Sequence, residues 1–318
     1  MAMVPFAIFR RVGWGECDPA LIYYTPHAID YAAEATEAWF EEILGVSLLG
    51  LAAEYGFDAH FLRIDCSYLK PLVASQRVEL RATVSDVDDS RLVLAVSGDD
   101  PGGQLCFMVR MVVGFVTLHE RRPVPMPAVF KTALGACRQQ DANCQGAHPN
   151  FDWSNFPVAD GTAARTFPRL SDGSYLGSRR VAYGDCGTAG IVCAPKLFVY
   201  AVEAVGEWFE TILGISWMQL VWERTQGAPF VSVSCQYLLP ILPGEKLALA
   251  VEVTRMGRSS LEFAVSGCNP KGELCFYAVL TSCFVERQGG LKAISIPEEF
   301  REKIRVSPAA SGDTGHSC

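Results

Sequence analysis

The chain has 318 residues, half of them apolar, and a formal net charge of −8. This length allows two domains of ordinary size, while the acidic balance excludes a basic surface for nucleic acid. No uninterrupted apolar run is long enough to cross a membrane, and the apolar start precedes Arg10 and Arg11 instead of following a basic region. We therefore expect a cytoplasmic protein without a secretory signal.

The sequence repeats itself once. Residues 11–118 align without a gap with residues 180–287, at a constant displacement of 169 residues (187 − 18). Each copy begins with a predicted strand, near residues 6–14 and 177–183, and continues into an acidic turn. The differences between the copies therefore indicate where each copy has specialised.

A buried helix is predicted after the turn in each copy. Apolar residues recur at helical spacing from Ile29 to Leu44, and Gly45 is well placed to end the helix. The second copy repeats this ending at Gly214.

Four alternating, β-type runs follow each helix. They lie near residues 60–71, 77–87, 91–97 and 105–119, and again near 229–240, 246–255, 260–266 and 274–287. One long helix between a first strand and four antiparallel strands predicts an α+β fold, with the helix packed on one face of a curved sheet.

The domain boundaries follow from the repeat and from composition. We expect a first domain at residues 1–134 and a second at residues 170–306. The intervening residues 135–169 are rich in Gly, Ala, Asn, Gln and Pro and are predicted to be a linker, and residues 307–318 to be a disordered tail.

The acidic turn of the first copy carries a recognisable motif. Residues 15–20 read Gly-Glu-Cys-Asp-Pro-Ala, with Ile22, Tyr23, Tyr24 and Pro26 after them. This resembles the Gly-Asp-Cys-Asp-Pro-Ala-Gly-Ile-Val-x-Tyr-Pro turn of the 4-hydroxybenzoyl-CoA thioesterase family. The second copy, residues 184–192, matches the outer parts of the motif but not its centre. The resemblance implies two tandem hotdog domains, each a long helix wrapped by a sheet, paired as an intramolecular double hotdog.

The resemblance also implies an activity. Family members use the aspartate before proline, which is Asp18 here, whereas the second copy has Gly187. We therefore expect a thioesterase that hydrolyses an acyl-CoA or acyl-carrier-protein thioester at one working site per chain, without metal or cofactor. Asp18 would act as nucleophile or as general base, a choice that the sequence leaves open. Backbone N–H groups of Tyr24 and Thr25, near the start of the helix, would bind the oxyanion.

Four further residues are candidates for substrate binding. Tyr23 and His27 follow the motif and could line the pocket. Arg255 and Arg258 occupy a turn where the first copy has several aspartates, and the family places basic residues there to hold the CoA phosphates. The resemblance thus suggests one composite site, with Asp18 from the first copy and the two arginines from the second.

Other interpretations remain open at the level of sequence. Asp before Pro is a common turn dipeptide, so Asp18 could be structural. Glu16 and Leu21 replace an Asp and a Gly of the motif, and a protein with a spoiled turn would only bind acyl thioesters or act as a scaffold. A hotdog hydratase or dehydratase is a more distant alternative. By analogy we expect double hotdogs to form a homodimer or higher homo-oligomer.

Overall fold

The computed structural model describes residues 6–118, 122–143, 151, 153 and 172–305. The predicted tail, and most of the predicted linker, lie outside these residues. Within the described residues, no helix is long and apolar enough to cross a membrane.

The first half follows the predicted order of one strand, a central helix and four strands. Its elements are β1 (Ala7–Arg11), α1 (His27–Trp39), α2 (Leu48–Tyr55), β2 (Phe57–Tyr68), β3 (Arg77–Val87), β4 (Arg91–Asp99), β5 (Leu105–Thr117) and α3 (Ala128–Asn143).

The second half repeats this order with additional short elements. They are β6 (Tyr175–Arg180), α4 (Ala194–Trp208), α5 (Trp217–Trp222), β7 (Gln226–Gly227), β8 (Phe230–Tyr237), β9 (Lys246–Met256), β10 (Ser260–Cys268), β11 (Leu274–Cys283), β12 (Val285–Glu286), β13 (Lys292–Ala293) and α6 (Glu298–Arg301).

Ten strands form one continuous antiparallel sheet across both halves. The order is β1-β3-β4-β5-β2 in the first half, continued by β8-β11-β10-β9-β6 in the second. The two halves therefore join edge to edge through β2 and β8. In this seam Asp65 pairs directly with Ser234, its counterpart in the repeat.

The two central helices supply much of the core. Trp39 and Tyr31 of α1 and their counterparts Trp208 and Tyr200 of α4 are all at most 2% exposed. The helices also contact each other across the halves, where Lys196 Nζ lies 4.0 Å from Asp30 Oδ1. Each helix buries an apolar face against its half of the sheet, and the buried residues of both halves form one hydrophobic core.

Both helices end at the predicted glycines. Each continues through one π-helical segment, Phe40–Leu44 or Phe209–Leu213, before the chain turns at Gly45 or Gly214. These glycines have φ values of 70° and 73°, the left-handed conformation that glycine adopts without steric cost.

Three features differ from the prediction. Helices α2 and α5 were not predicted, and neither was a small sheet in which β12 pairs with β7 and β13. Helix α3 continues to Asn143, so it runs into the segment predicted to be linker. The domain boundaries themselves remain predictions.

A buried cluster of charges lies at the seam between the halves. Asp65 is fully buried, and its carboxylate accepts hydrogen bonds from Arg63 Nε (2.8 Å), Arg110 Nε (2.8 Å) and Ser234 Oγ (2.6 Å). Donors from three residues, including Arg110 Nη2 as well as Nε, compensate for the loss of hydration of this carboxylate.

Candidate active site

The turn that carries Asp18 is a tight hairpin loop. The N–H of Asp18 donates to the carbonyl of Ile22, and the N–H of Leu21 donates to the carbonyl of Asp18, each at 2.9 Å. This pattern needs a left-handed residue at position 21, and Leu21 has a φ of 65°. Gly190 fills the equivalent position of the second copy with a φ of 71°. The first copy therefore places a leucine, 76% exposed, where glycine is favoured.

The Asp18 carboxylate is half-buried and only partly satisfied by the turn. Its Oδ1 accepts a hydrogen bond from the N–H of Ala20 at 2.8 Å, as in an Asx turn. Burial raises the pKa of this carboxyl above its ordinary value, while the N–H groups of Ala20 and Ile22 and the charge of Arg287 act in the opposite direction. Asp18 thus serves the turn and also presents a carboxylate of increased basicity.

The two predicted oxyanion donors, which precede helix α1, differ in whether their N–H groups already donate hydrogen bonds. The N–H of Tyr24 already donates to the carbonyl of Glu16 at 2.9 Å, so it could bind an oxyanion only by giving up this bond. No hydrogen bond involves the N–H of Thr25 within the described residues. The hairpin register explains why only the Tyr24 N–H is used. It pairs residue 24 with residue 16 and leaves residue 25 beyond the last pair.

The side chains of Asp18 and Tyr24 lie on the same face of the hairpin. In the second copy, a Cβ added to Gly187 would lie 2.9 Å from Sγ of Cys193, the counterpart of Tyr24. Burial, and next the nearby Asp18 charge, raise the pKa of Tyr24 to about 12. The Tyr24 phenol is therefore protonated at neutral pH and available as a hydrogen-bond donor beside the carboxylate.

Glu16 has a structural role that both copies share. Its Oε2 accepts hydrogen bonds from Tyr31 Oη and from the N–H of Gly13, both at 2.6 Å. In the second copy Asp185 accepts from Tyr200 Oη at 2.6 Å. The replacement of the motif's Asp by Glu at position 16 therefore preserves the acceptor that holds the turn against the helix.

The two pocket candidates next to the turn have different environments. Tyr23 is 6% exposed and packs against Tyr31, with ring centroids 5.2 Å apart, so it belongs to the core. His27 is half-buried, and its Nδ1 lies 2.9 Å from Asp30 Oδ2. Its ring also contacts Tyr23 and Tyr24. The contact with Asp30 and the aromatic contacts fix the orientation of the His27 ring.

The two arginines predicted to bind substrate, Arg255 and Arg258, have no described contact with the Asp18 turn. Arg255 and Arg258 are exposed, and Arg258 Nε donates to Ser295 Oγ at 3.1 Å, near the C-terminal segment. The basic side chain that contacts the Asp18 turn is Arg287, whose Nη2 donates to the carbonyl of Ala20 at 2.7 Å. Sequence reasoning missed Arg287, although its alignment with Leu118 was a signal. The substrate-binding role of Arg255 and Arg258 remains a prediction.

The described residues contain no group of three or more His, Cys, Asp or Glu side chains arranged to hold a metal ion. The groups described at and next to the turn are a carboxylate, a backbone N–H without a described partner and a neutral phenol. Such a set can activate or supply a nucleophile and stabilise a developing oxyanion.

Both halves of the chain match models of known protein families. Residues 12–134 match the Thioesterase-like superfamily and residues 191–276 match the Thioesterase superfamily. The two matches together span more than half of the chain. One curated relative, the uncharacterized protein YsmA of Bacillus subtilis, is 34% identical over 73 residues, which are 23% of this chain and 49% of that protein. The chain thus spans about half the length of this relative.

Solved structures resemble the whole chain. A candidate oleoyl thioesterase from Lactobacillus plantarum has a TM-score of 0.67 at 13% identity, covering 88% of this chain and 96% of its own. The 12:0-ACP thioesterase of Umbellularia californica has a TM-score of 0.64 at 12% identity, covering 87% and 93%. An acyl-ACP thioesterase from Bacteroides thetaiotaomicron has a TM-score of 0.62 at 10% identity, covering 87% and 97%. The predicted tandem double hotdog is confirmed.

Proposed function

We propose that this chain, whose halves match the Thioesterase-like superfamily and the Thioesterase superfamily, is a thioester hydrolase that cleaves acyl-CoA or acyl-carrier-protein thioesters at Asp18. The observation that carries this proposal is the asymmetry of the two turns. One presents a half-buried carboxylate beside a free N–H, and the other has Gly187 at the same position. We accordingly expect one working site per chain.

The mechanism assigns separate tasks to the two groups. The Thr25 N–H would donate to the thioester oxygen as negative charge develops on it, at a helix start whose dipole favours that charge. The Asp18 carboxylate would attack the carbonyl carbon to give a mixed anhydride, or would take a proton from an attacking water. In either case the C–S bond breaks and the thiol leaves.

The aromatic groups near the turn would shape the acyl end of the site. His27 and Tyr24 are half-buried, so they can contact a substrate, whereas buried Tyr23 supports them from behind. The similarity to the 4-hydroxybenzoyl-CoA thioesterase motif favours an aryl acyl group within this proposal. The cytoplasmic location and the dimer of double hotdogs stay predictions.

The test is thiol release from a panel of thioesters by the native enzyme and by Asp18→Asn. The panel should include aryl-CoA, fatty acyl-CoA and fatty acyl-carrier-protein substrates, because two of the structural relatives are named for acyl-ACP. We expect the substitution to lower kcat by at least ~100-fold.

The matched control is Asp89→Asn, since Asp89 is an exposed carboxylate paired with Lys131 on the surface. We expect the control to keep native turnover. Equal turnover by native and Asp18→Asn proteins would contradict the role of Asp18. Tight thioester binding without turnover by the native protein would favour the non-catalytic alternative.

A further inference from the structure

Arg287 belongs to the second half of the chain but contacts the turn of the first. Its Nη2 donates to the carbonyl of Ala20 at 2.7 Å, and its Nη1 to the carbonyl of Val221 at 3.5 Å. One guanidinium therefore bridges the Asp18 turn to helix α5 of the other half. The planar, fork-shaped geometry of the side chain suits such a bridge.

The backbone around Arg287 holds the side chain in this direction. The residue directly follows strand β12, and its N–H donates to the carbonyl of Thr225 at 3.0 Å. Glu286 Oε1 accepts hydrogen bonds from Thr225 Oγ1 at 3.0 Å and from the Arg287 N–H at 3.1 Å. The small sheet of β7, β12 and β13 thus fixes the backbone of Arg287.

The two junctions between the halves differ at the positions of both groups. The repeat places Leu118 at the position of Arg287, and Gly187 at the position of Asp18. The carboxylate and the guanidinium therefore occur together at one junction and are both absent from the equivalent positions of the other. The joint presence of both groups at one junction is what a role of Arg287 at the Asp18 turn predicts.

We propose that Arg287 is a positioning residue that holds the Asp18 turn in its reactive geometry and supplies a positive charge to that turn. The site is then completed by both halves, through a residue other than the predicted arginines. The inference deepens the proposed function, on which its kinetic consequences rest.

The electrostatic part of the proposal has a clear direction. A half-buried carboxylate loses hydration, which favours its protonated form, and a nearby cation favours the ionised form. Arg287 is the cation that opposes burial at Asp18. Its removal is therefore expected to raise the pKa of Asp18 further.

The direct test is a titration of the Asp18 carboxyl by carbon-13 NMR, with Asp18→Asn to assign the signal. We expect Arg287→Leu, which copies the residue of the other junction, to raise the midpoint by roughly 0.5–1 pH unit. The matched control is Lys292→Leu, which removes an exposed cation from the neighbouring strand β13. An unchanged midpoint in Arg287→Leu, or an equal rise in the control, would overturn the electrostatic part.

Kinetics test the positioning part. In Arg287→Leu the acidic limb of the pH profile of kcat/KM is expected to move upward with the NMR midpoint, and kcat at neutral pH to fall by about tenfold. Arg287→Lys keeps the charge but cannot bridge two carbonyl groups as a fork, so we expect a near-native midpoint with reduced kcat. Native kcat in Arg287→Lys would contradict the positioning role.

The two hypotheses fail in different ways. If Asp18→Asn retained full turnover, the proposed chemistry would be wrong, while the NMR titration would still report whether Arg287 controls the Asp18 carboxyl. If Arg287→Leu did not fold, Arg287→Gln, which also removes the charge, would carry the titration, and Arg287→Lys would carry the kinetic measurement.

Discussion

Asp18 is held in conditions that suit a reactive group better than a structural one. Burial raises the pKa of its carboxyl, so its charged form is less stable in the folded protein than in the unfolded chain. The contribution of the Asp18 carboxyl to folding stability is therefore fully present only below the ordinary pKa of an aspartate. It is lost as the pH rises through the raised pKa of the folded protein. At neutral pH the burial of the charged Asp18 carboxylate therefore lowers the stability of the folded protein.

Asp18→Asn is accordingly expected to be more stable than the native protein at neutral pH, since asparagine can still accept the Ala20 N–H without carrying a charge. The difference in the free energy of unfolding should shrink as the pH is lowered toward ~3, where both side chains are neutral. Urea unfolding at both pH values measures it. A destabilised Asp18→Asn protein at neutral pH would indicate that Asp18 is mainly a turn residue.

At the scale of elements, the segment that leads into helix α1 carries the Thr25 N–H, a backbone donor for which no hydrogen bond is described. Thr25→Pro removes this N–H at a position that already precedes Pro26, and we expect kcat to fall by ~100-fold or more. Ala194→Pro is the matched control, because it changes the equivalent residue before Pro195 at the junction without the carboxylate. Thiol release measures activity, and circular dichroism checks folding.

A Thr25→Pro enzyme with native turnover would exclude this donor from catalysis. An equal loss in Ala194→Pro would instead indicate damage to the double hotdog as a whole.

The sequence predicted long elements well and short ones poorly. Helical spacing located α1 and α4 and their terminal glycines, and alternation located the long strands. Strands β7, β12 and β13 have two residues each, which is too short for a periodic signal. Arg287 is fixed by this small sheet, so its contact with the Ala20 carbonyl depends on pairing that local sequence does not encode. The use of the Tyr24 N–H likewise depends on hairpin register.

At the scale of the whole molecule, the halves meet at a seam that is not symmetric. Asp65 and Ser234 are equivalent in the repeat and face each other in β2 and β8. Ser234→Asp would place a second carboxylate against the first in a buried site. We expect it to lower the free energy of unfolding by about 3–5 kcal/mol.

Urea unfolding of Ser234→Asp measures this effect, with Ser232→Asp as a control at the half-buried position two residues away in the same strand. A much smaller loss in the control is expected. Equal losses of stability in the two variants would mean that any charge on β8 destabilises the protein, and that repulsion by Asp65 does not explain the effect of Ser234→Asp.

The pairing of Asp65 with Ser234 also separates this chain from a symmetric dimer. When two identical halves pair about a twofold axis, a residue on that axis meets its own copy, so every substitution there is made twice. Two copies of the first half would bring Asp65 against Asp65 in a buried seam. Covalent joining has let the two positions diverge, and the halves have become dependent on each other. The first half could not return to pairing with a copy of itself without first changing this residue.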